Sequence, residues 1–127
     1  MGSCVVDSSG WMEYFAGSER AKLFVPAIED RESLIVPTIS IHEVFKKFLR
    51  GRDENDAVAA VGAMMTGTVI DMDMPLLLGA ARHKLPLADS IIYATALRHN
   101  ATLWTQDIDF ADFADVKYFP KPSKSVD

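Results

Sequence analysis

Residues 85–110, LPLADSIIYATALRHNATLWTQDIDF, constrain the fold more than any other stretch, because an apolar helix runs into an apolar strand with almost nothing between them. Pro86 breaks the preceding chain, and the pattern predicts a helix from there to about Asn100, with Asp89 in its first turn, where the helix dipole favours a negative charge. Ile91, Ile92, Tyr93, Ala94, Ala96 and Leu97 come before any cation but Arg98, so this helix is expected to be largely buried. Its alanines suit close packing on a sheet. His99-Asn100 ends the helix with a residue that tolerates left-handed geometry, and Thr102–Thr105 reads as a short buried strand. Asp107 and Asp109 follow at its carboxyl end, where open α/β sheets bind ligands. With parallel neighbours, this strand lets Asp89 and Asp107 share one crevice.

The rest of the chain repeats the alternation. Ser3–Val6 reads as a strand that stops at Asp7, with Ser8, Ser9 and Gly10 leading into a helix at Trp11. Asp7 reads equally as that helix's N-cap, and Ser8 and Ser9 as turn residues. Residues 19–30 read as a helix that Pro26 kinks or splits, and Leu34–Val36 as a second strand. Thr38–Arg52 is the clearest amphipathic helix, with Ile41, Val44, Phe45, Phe48 and Leu49 on one face. Glu43 is expected in its first turn, pointing away from that face. Ser40-Ile41-His42-Glu43 fits a capping box, and Glu43 with Lys47 fits a helical ion pair. A helix over 57–65, a strand over 68–71, a helix from Asp73 to about Lys84 and a last strand over 114–119 complete the order. Arg82, His83 and Lys84 suit a helix carboxyl end. Residues 1–119 are expected to form a single domain and 120–127 a flexible tail. Strands separated by helices predict an α/β fold with a parallel sheet between helix layers.

Composition narrows the functional classes. The 127 residues carry 13 Lys+Arg against 18 Asp+Glu, a formal net charge of −5, so no general basic field holds nucleic acid. Two divalent cations would leave the assembly at about −1. No apolar run approaches the ~20 residues that span a bilayer, and the lone Cys4 excludes an internal disulfide, so a cytoplasmic location is expected. No glycine-rich phosphate loop, nucleophile elbow or spaced Cys/His zinc set occurs. His42, His83 and His99 read as surface or capping residues. The acids Asp7, Glu43, Asp89 and Asp107, with Asp109, Ser9 and Thr105 beside them, form the candidate constellation. Clustered carboxylates repel one another, and a cation resolves the repulsion. Ligation by oxygen alone points to Mg²⁺ or Mn²⁺, ions that support water activation and in-line attack on phosphodiesters.

VVDSSGWMEYF, SIHEVFKKF, LPLADSIIYATA and LWTQDIDF, in that order and spacing, resemble PIN-domain ribonucleases, and more narrowly VapC-type toxins of toxin–antitoxin pairs. The resemblance implies a PIN-like three-layer α/β/α sandwich with a short, mostly parallel sheet of four to five strands. It implies Mg²⁺- or Mn²⁺-dependent endoribonuclease activity, homodimerisation and inhibition by an antitoxin protein. Asp7, Glu43, Asp89 and Asp107 would be the metal-binding and catalytic acids, Asp109 an auxiliary ligand, and Ser9 and Thr105 polar supports. Lys46, Lys47 and Arg50, on the solvent side of the Glu43 helix, are candidate RNA contacts. Two rival readings stand beside this one. DMDMP at Asp71–Pro75 with Lys121-Pro122 resembles the phosphoacceptor site of response-regulator receivers, with Asp71 as acceptor. A catalytically silent PIN-like binding domain is the other.

Overall fold

The structure, a computed structural model, describes residues 2–122. Five strands, β1 (Cys4–Val6), β2 (Leu34–Pro37), β3 (Thr68–Ile70), β4 (Thr102–Thr105) and β5 (Val116–Tyr118), form one sheet in the order β3-β2-β1-β4-β5. Every pairing is parallel. The connection from β1 runs outward to β2 and β3, and then back across to β4 and β5. The strand order therefore reverses beside β1, which opens a crevice at the carboxyl ends of β1 and β4.

Helices cover both faces because every strand is too short and too apolar to leave one exposed. Val6, Leu34 and Val36 face one side, against Trp11 of α1 (Ser8–Ala16), Phe24 and Ile28 of α2 (Ala21–Ile28), Val44 and Phe48 of α3 (Thr38–Gly51), and Met64 of α4 (Glu54–Met64). The alternate residues Val5, Ile35 and Leu103 face the other, against Ile92, Tyr93 and Ala96 of α6 (Leu87–Arg98). The outer side of α6 meets α5 (Met74–Ala80), where Ile91 and Ala94 pack on Leu76 and Ala80. Lying between a sheet and a helix explains why the whole run Ser90–Ala96 is buried. The result is the expected three-layer α/β/α arrangement, with five strands, all parallel.

Two local features hold the site end together. Gly10 lies so close to β1 and α2 that an added Cβ would come within 2.6 Å of Val6 Cγ1 and 2.7 Å of the Phe24 ring. Asn100 takes a left-handed conformation (φ 51°), which turns α6 into β4 within three residues of His99.

Several local expectations are corrected. α3 starts at Thr38 directly after β2, with Pro37 as an N-cap that makes no side-chain bond. No capping box forms, since Ser40 lies inside the helix, fully buried, with no partner for its hydroxyl. For the same reason Glu43 falls in the second turn rather than the first, and among the described residues it forms no ion pair with Lys47. Leu49, expected on the core face, is 46% exposed. Pro26 stays within α2 without splitting it. α5 ends at Ala80, so Arg82, His83 and Lys84 lie beyond the helix, and the His83 ring instead meets Tyr93 edge-on at 4.9 Å. Of the predicted tail, residues 120–122 are exposed and 123–127 lie outside the described residues. No helix among the described residues is long and apolar enough to cross a membrane.

Candidate metal centre and active site

Asp7 is the first residue past the central strand and also the N-cap of α1, accepting a 3.0 Å bond from Gly10 N–H. Its backbone N–H still reaches across to Trp104 O at 3.2 Å, so the strand end fixes its position. Two hydroxyl donors also hold the carboxylate. Thr105 Oγ1 donates to Oδ2 at 2.6 Å, and Ser9 Oγ lies 2.9 and 3.0 Å from the two oxygens. The side chain is 2% exposed. Asp7 is thus the N-cap of α1, and the helix that it caps begins inside the crevice.

Thr105 joins the two strand ends. Its buried hydroxyl donates to Asp7 and accepts the Asp107 N–H at 2.9 Å. Asp107 in turn accepts the Asp109 N–H at 2.9 Å and so caps a single 3-10 turn, Ile108–Phe110. Asp89, in the first turn of α6, faces this turn: one carboxylate oxygen from each of Asp89, Asp107 and Asp109 lies within 4.8 Å of the others. Glu43 comes from α3 and accepts a hydrogen bond from Ser8 Oγ. Four segments far apart in sequence thus place five acids at one end of the sheet.

The electrostatics show the crowding. Burial, followed by Asp107, Glu43, Asp7 and Asp109 in that order, raises the Asp89 carboxyl to about 7. Asp7 is also raised, chiefly by burial, against the lowering effect of its bonds from Thr105, Gly10 and Ser9. Such a set is unfavourable when fully charged and empty, and it offers only hard oxygen donors. Donor type, proximity and excess negative charge all fit Mg²⁺ or Mn²⁺, and no imidazole or thiolate is present to favour zinc. Asp89, Asp107 and Asp109, with Asp7 and Glu43 beside them, are the residues that would hold the ion.

Other predicted residues fall as follows. Lys46, Lys47 and Arg50 share a shallow cleft with Glu43 on the flank of α3. Asp71 is exposed after the edge strand β3, while Lys121 follows the opposite edge strand β5, so the receiver-like constellation is not assembled. Of the two serines expected as turn residues, Ser8 is the one that reaches Glu43. Gln106 was not singled out. It is buried between the site residues Thr105 and Asp107, where it donates to Glu13 at 2.7 Å and accepts from Arg20 Nε at 2.6 Å. Arg20 also bonds Phe119 O at 2.9 Å, tying α2 to the strand ends.

With sheet order and acid cluster in hand, comparison with known proteins gives the class. The chain belongs to the PIN domain family, whose pattern it matches over residues 4–116. Among solved structures it is similar to a toxin–antitoxin complex from Klebsiella pneumoniae (24% identity, 91% of this chain and 96% of that one, TM-score 0.77). It is also similar to VapC20 of Mycobacterium tuberculosis, described as a Sarcin-Ricin loop cleaving toxin (22%, 91% and 99%, TM-score 0.73). A third is the DNA-bound VapBC of Salmonella typhimurium (12%, 94% and 98%, TM-score 0.72). At these identities the likeness is one of fold. No curated protein matches the chain significantly.

Proposed function

We propose that this protein is a Mg²⁺- or Mn²⁺-dependent endoribonuclease, the toxin of a VapC-type toxin–antitoxin pair, acting in the cytoplasm as a homodimer restrained by a cognate antitoxin. The observation that carries the reading is the gathering of Asp89, Asp107 and Asp109 within 4.8 Å, with the hydrogen-bonded Asp7 beside them. The toxin and VapBC descriptions of its structural relatives support the same reading.

When bound, the cation supplies a Lewis acid that activates water and offsets charge on the phosphate under attack. The chain's own residues do the positioning. Thr105, Ser9 and Gly10 hold both oxygens of Asp7 in one orientation, and Asp107 is locked by its own turn. Ser8 orients Glu43 toward the crevice. Without the cation, burial and the neighbouring acids raise the Asp89 carboxyl to about 7, so taking up the ion would displace its proton and leave Asp89 as a ligand. Lys46, Lys47 and Arg50 flank Glu43 and would attract the RNA backbone.

Exposed apolar side chains support the partner assignments. Met74, Leu77 and Leu78 lie on α5 and its start, and Leu49, Val58 and Met65 on and after the α3–α4 pair. Both sets are candidate contacts for a second copy of the chain or for an antitoxin segment. The test is RNA cleavage by the purified protein with Mg²⁺ or Mn²⁺, with the RNA 5′ ends then sequenced. EDTA should stop it, and Asp7→Asn and Asp89→Asn should each reduce it by orders of magnitude. Undiminished cleavage by both folded variants would remove the assignment.

A further inference from the structure

A cavity of about 440 Å³ opens beside the acids, lined by Ser9, Gln106, Asp107, Ile108, Tyr118 and Lys121. Its volume falls in the range of roughly 300–1,000 Å³ typical of small-ligand sites. Its position is set by the sheet. Tyr118 is the register partner of Thr105 across β4 and β5, and Phe119 N–H donates to Thr105 O at 2.9 Å, so the cavity is one strand beyond the residue that supports Asp7.

Tyr118 differs from the other tyrosines. Tyr14 packs against two aromatic rings and bonds Glu29, while Tyr93 packs among His83, Phe110 and Phe113 and bonds Ala114 O. Among the described residues Tyr118, half-buried, pairs with no aromatic ring and its hydroxyl bonds nothing. Ile108, which lines the same cavity, is 74% exposed and leaves a second apolar side chain there without cover. Lys121 is exposed and, among the described residues, forms no ion pair. Glu13, the carboxylate within its electrostatic reach, is already engaged by Gln106 and Ser18.

The charge pattern also has a direction. The acids repel a polyanion, so cations are needed on both sides of them to draw a phosphate chain across. Lys46, Lys47 and Arg50 stand on the Glu43 flank, and Lys121 is the cation in the wall of the Asp107 flank. We propose that this cavity is a nucleotide subsite, in which a base of single-stranded RNA next to the phosphate under attack packs between Tyr118 and Ile108 while its own phosphate meets Lys121. The inference rests on the nuclease reading above and adds the substrate's path. An unpaired ring with an open hydroxyl, a free cation and phosphate-directed acids next door together favour an unstacked nucleotide over a peptide.

The test measures kcat/KM for short mixed-sequence single-stranded RNA and for bis(p-nitrophenyl) phosphate, with Mn²⁺, in wild type, Tyr118→Leu, Tyr118→Phe and Lys121→Gln. The small diester carries neither a nucleobase nor a second phosphate, so it reports on the acids without the full set of Tyr118 and Lys121 contacts. Tyr118→Leu should lower the ratio of RNA to small-diester kcat/KM by about tenfold through lost base stacking, and Tyr118→Phe should restore most of it. Lys121→Gln should raise the RNA KM and flatten the log KM against log salt slope by about 0.7, as expected for one lost phosphate contact to a single strand. An unchanged ratio and slope in an enzyme that cleaves RNA would overturn the subsite alone, as a peptide occupant would predict. An equal loss on both substrates would overturn it as well. Wild-type protein inert toward both substrates would instead remove the nuclease reading, and the subsite with it.

Discussion

Replacing Asp89 with Asn should make the cation-free protein more stable at neutral pH, although it removes a proposed ligand. Lifting a carboxyl from 3.8 to about 7 corresponds to roughly 4 kcal/mol between its two protonation states. Asp89 is only half-buried, so water screening reduces the usable effect to about 1–2 kcal/mol. The sign follows from proton counts. Between 3.8 and about 7 the folded chain retains a proton on Asp89 that the unfolded chain has lost. Stability therefore falls as pH rises through that window, and the full cost is present above it. In EDTA, urea unfolding should show wild type losing stability toward neutral pH and Asp89→Asn losing less, by about 1–2 kcal/mol at about pH 8. Adding Mn²⁺ should reverse the order, because an ion that binds only the folded acids stabilises wild type by mass action. Superimposable pH profiles for the two proteins would refute the claim that the acids strain the cation-free fold.

Two other substitutions probe the scaffold. Thr105→Val keeps the shape but removes the hydroxyl shared by Asp7 and the Asp107 N–H. Denaturant titration should show a loss of about 1–3 kcal/mol from the unsatisfied buried groups, and cleavage should fall with it. Gly10→Ala would force a methyl within 2.6–2.7 Å of Val6 and Phe24. The overpacking should cost about 1–3 kcal/mol in thermal or denaturant unfolding, whereas Gly62→Ala, which meets nothing within 4 Å, should leave stability equal or higher.

The alternation of elements was legible because each helix and strand carries its own period, and α6 could be recognised as buried from its lack of charge. The order of strands was not, since nothing local says that β4 returns to lie beside β1. The acids were legible as residues that end strands or begin helices. Glu43 was the hardest to place, because a capping box and an ion pair explained it locally, and only the direct passage from β2 into α3 puts it in the second turn next to Ser8. Gln106 left no local trace for a different reason. Its partners Arg20 and Glu13 lie 86 and 93 positions away, so its network exists only in the folded chain.

The most direct measurement is anomalous scattering from crystals grown with Mn²⁺. The expected result is a peak coordinated by carboxylate oxygens of at least two of Asp7, Asp89, Asp107 and Asp109, and missing from Asp89→Asn crystals. Manganese bound only elsewhere on the surface, with these carboxylates left uncoordinated, would contradict the central claim.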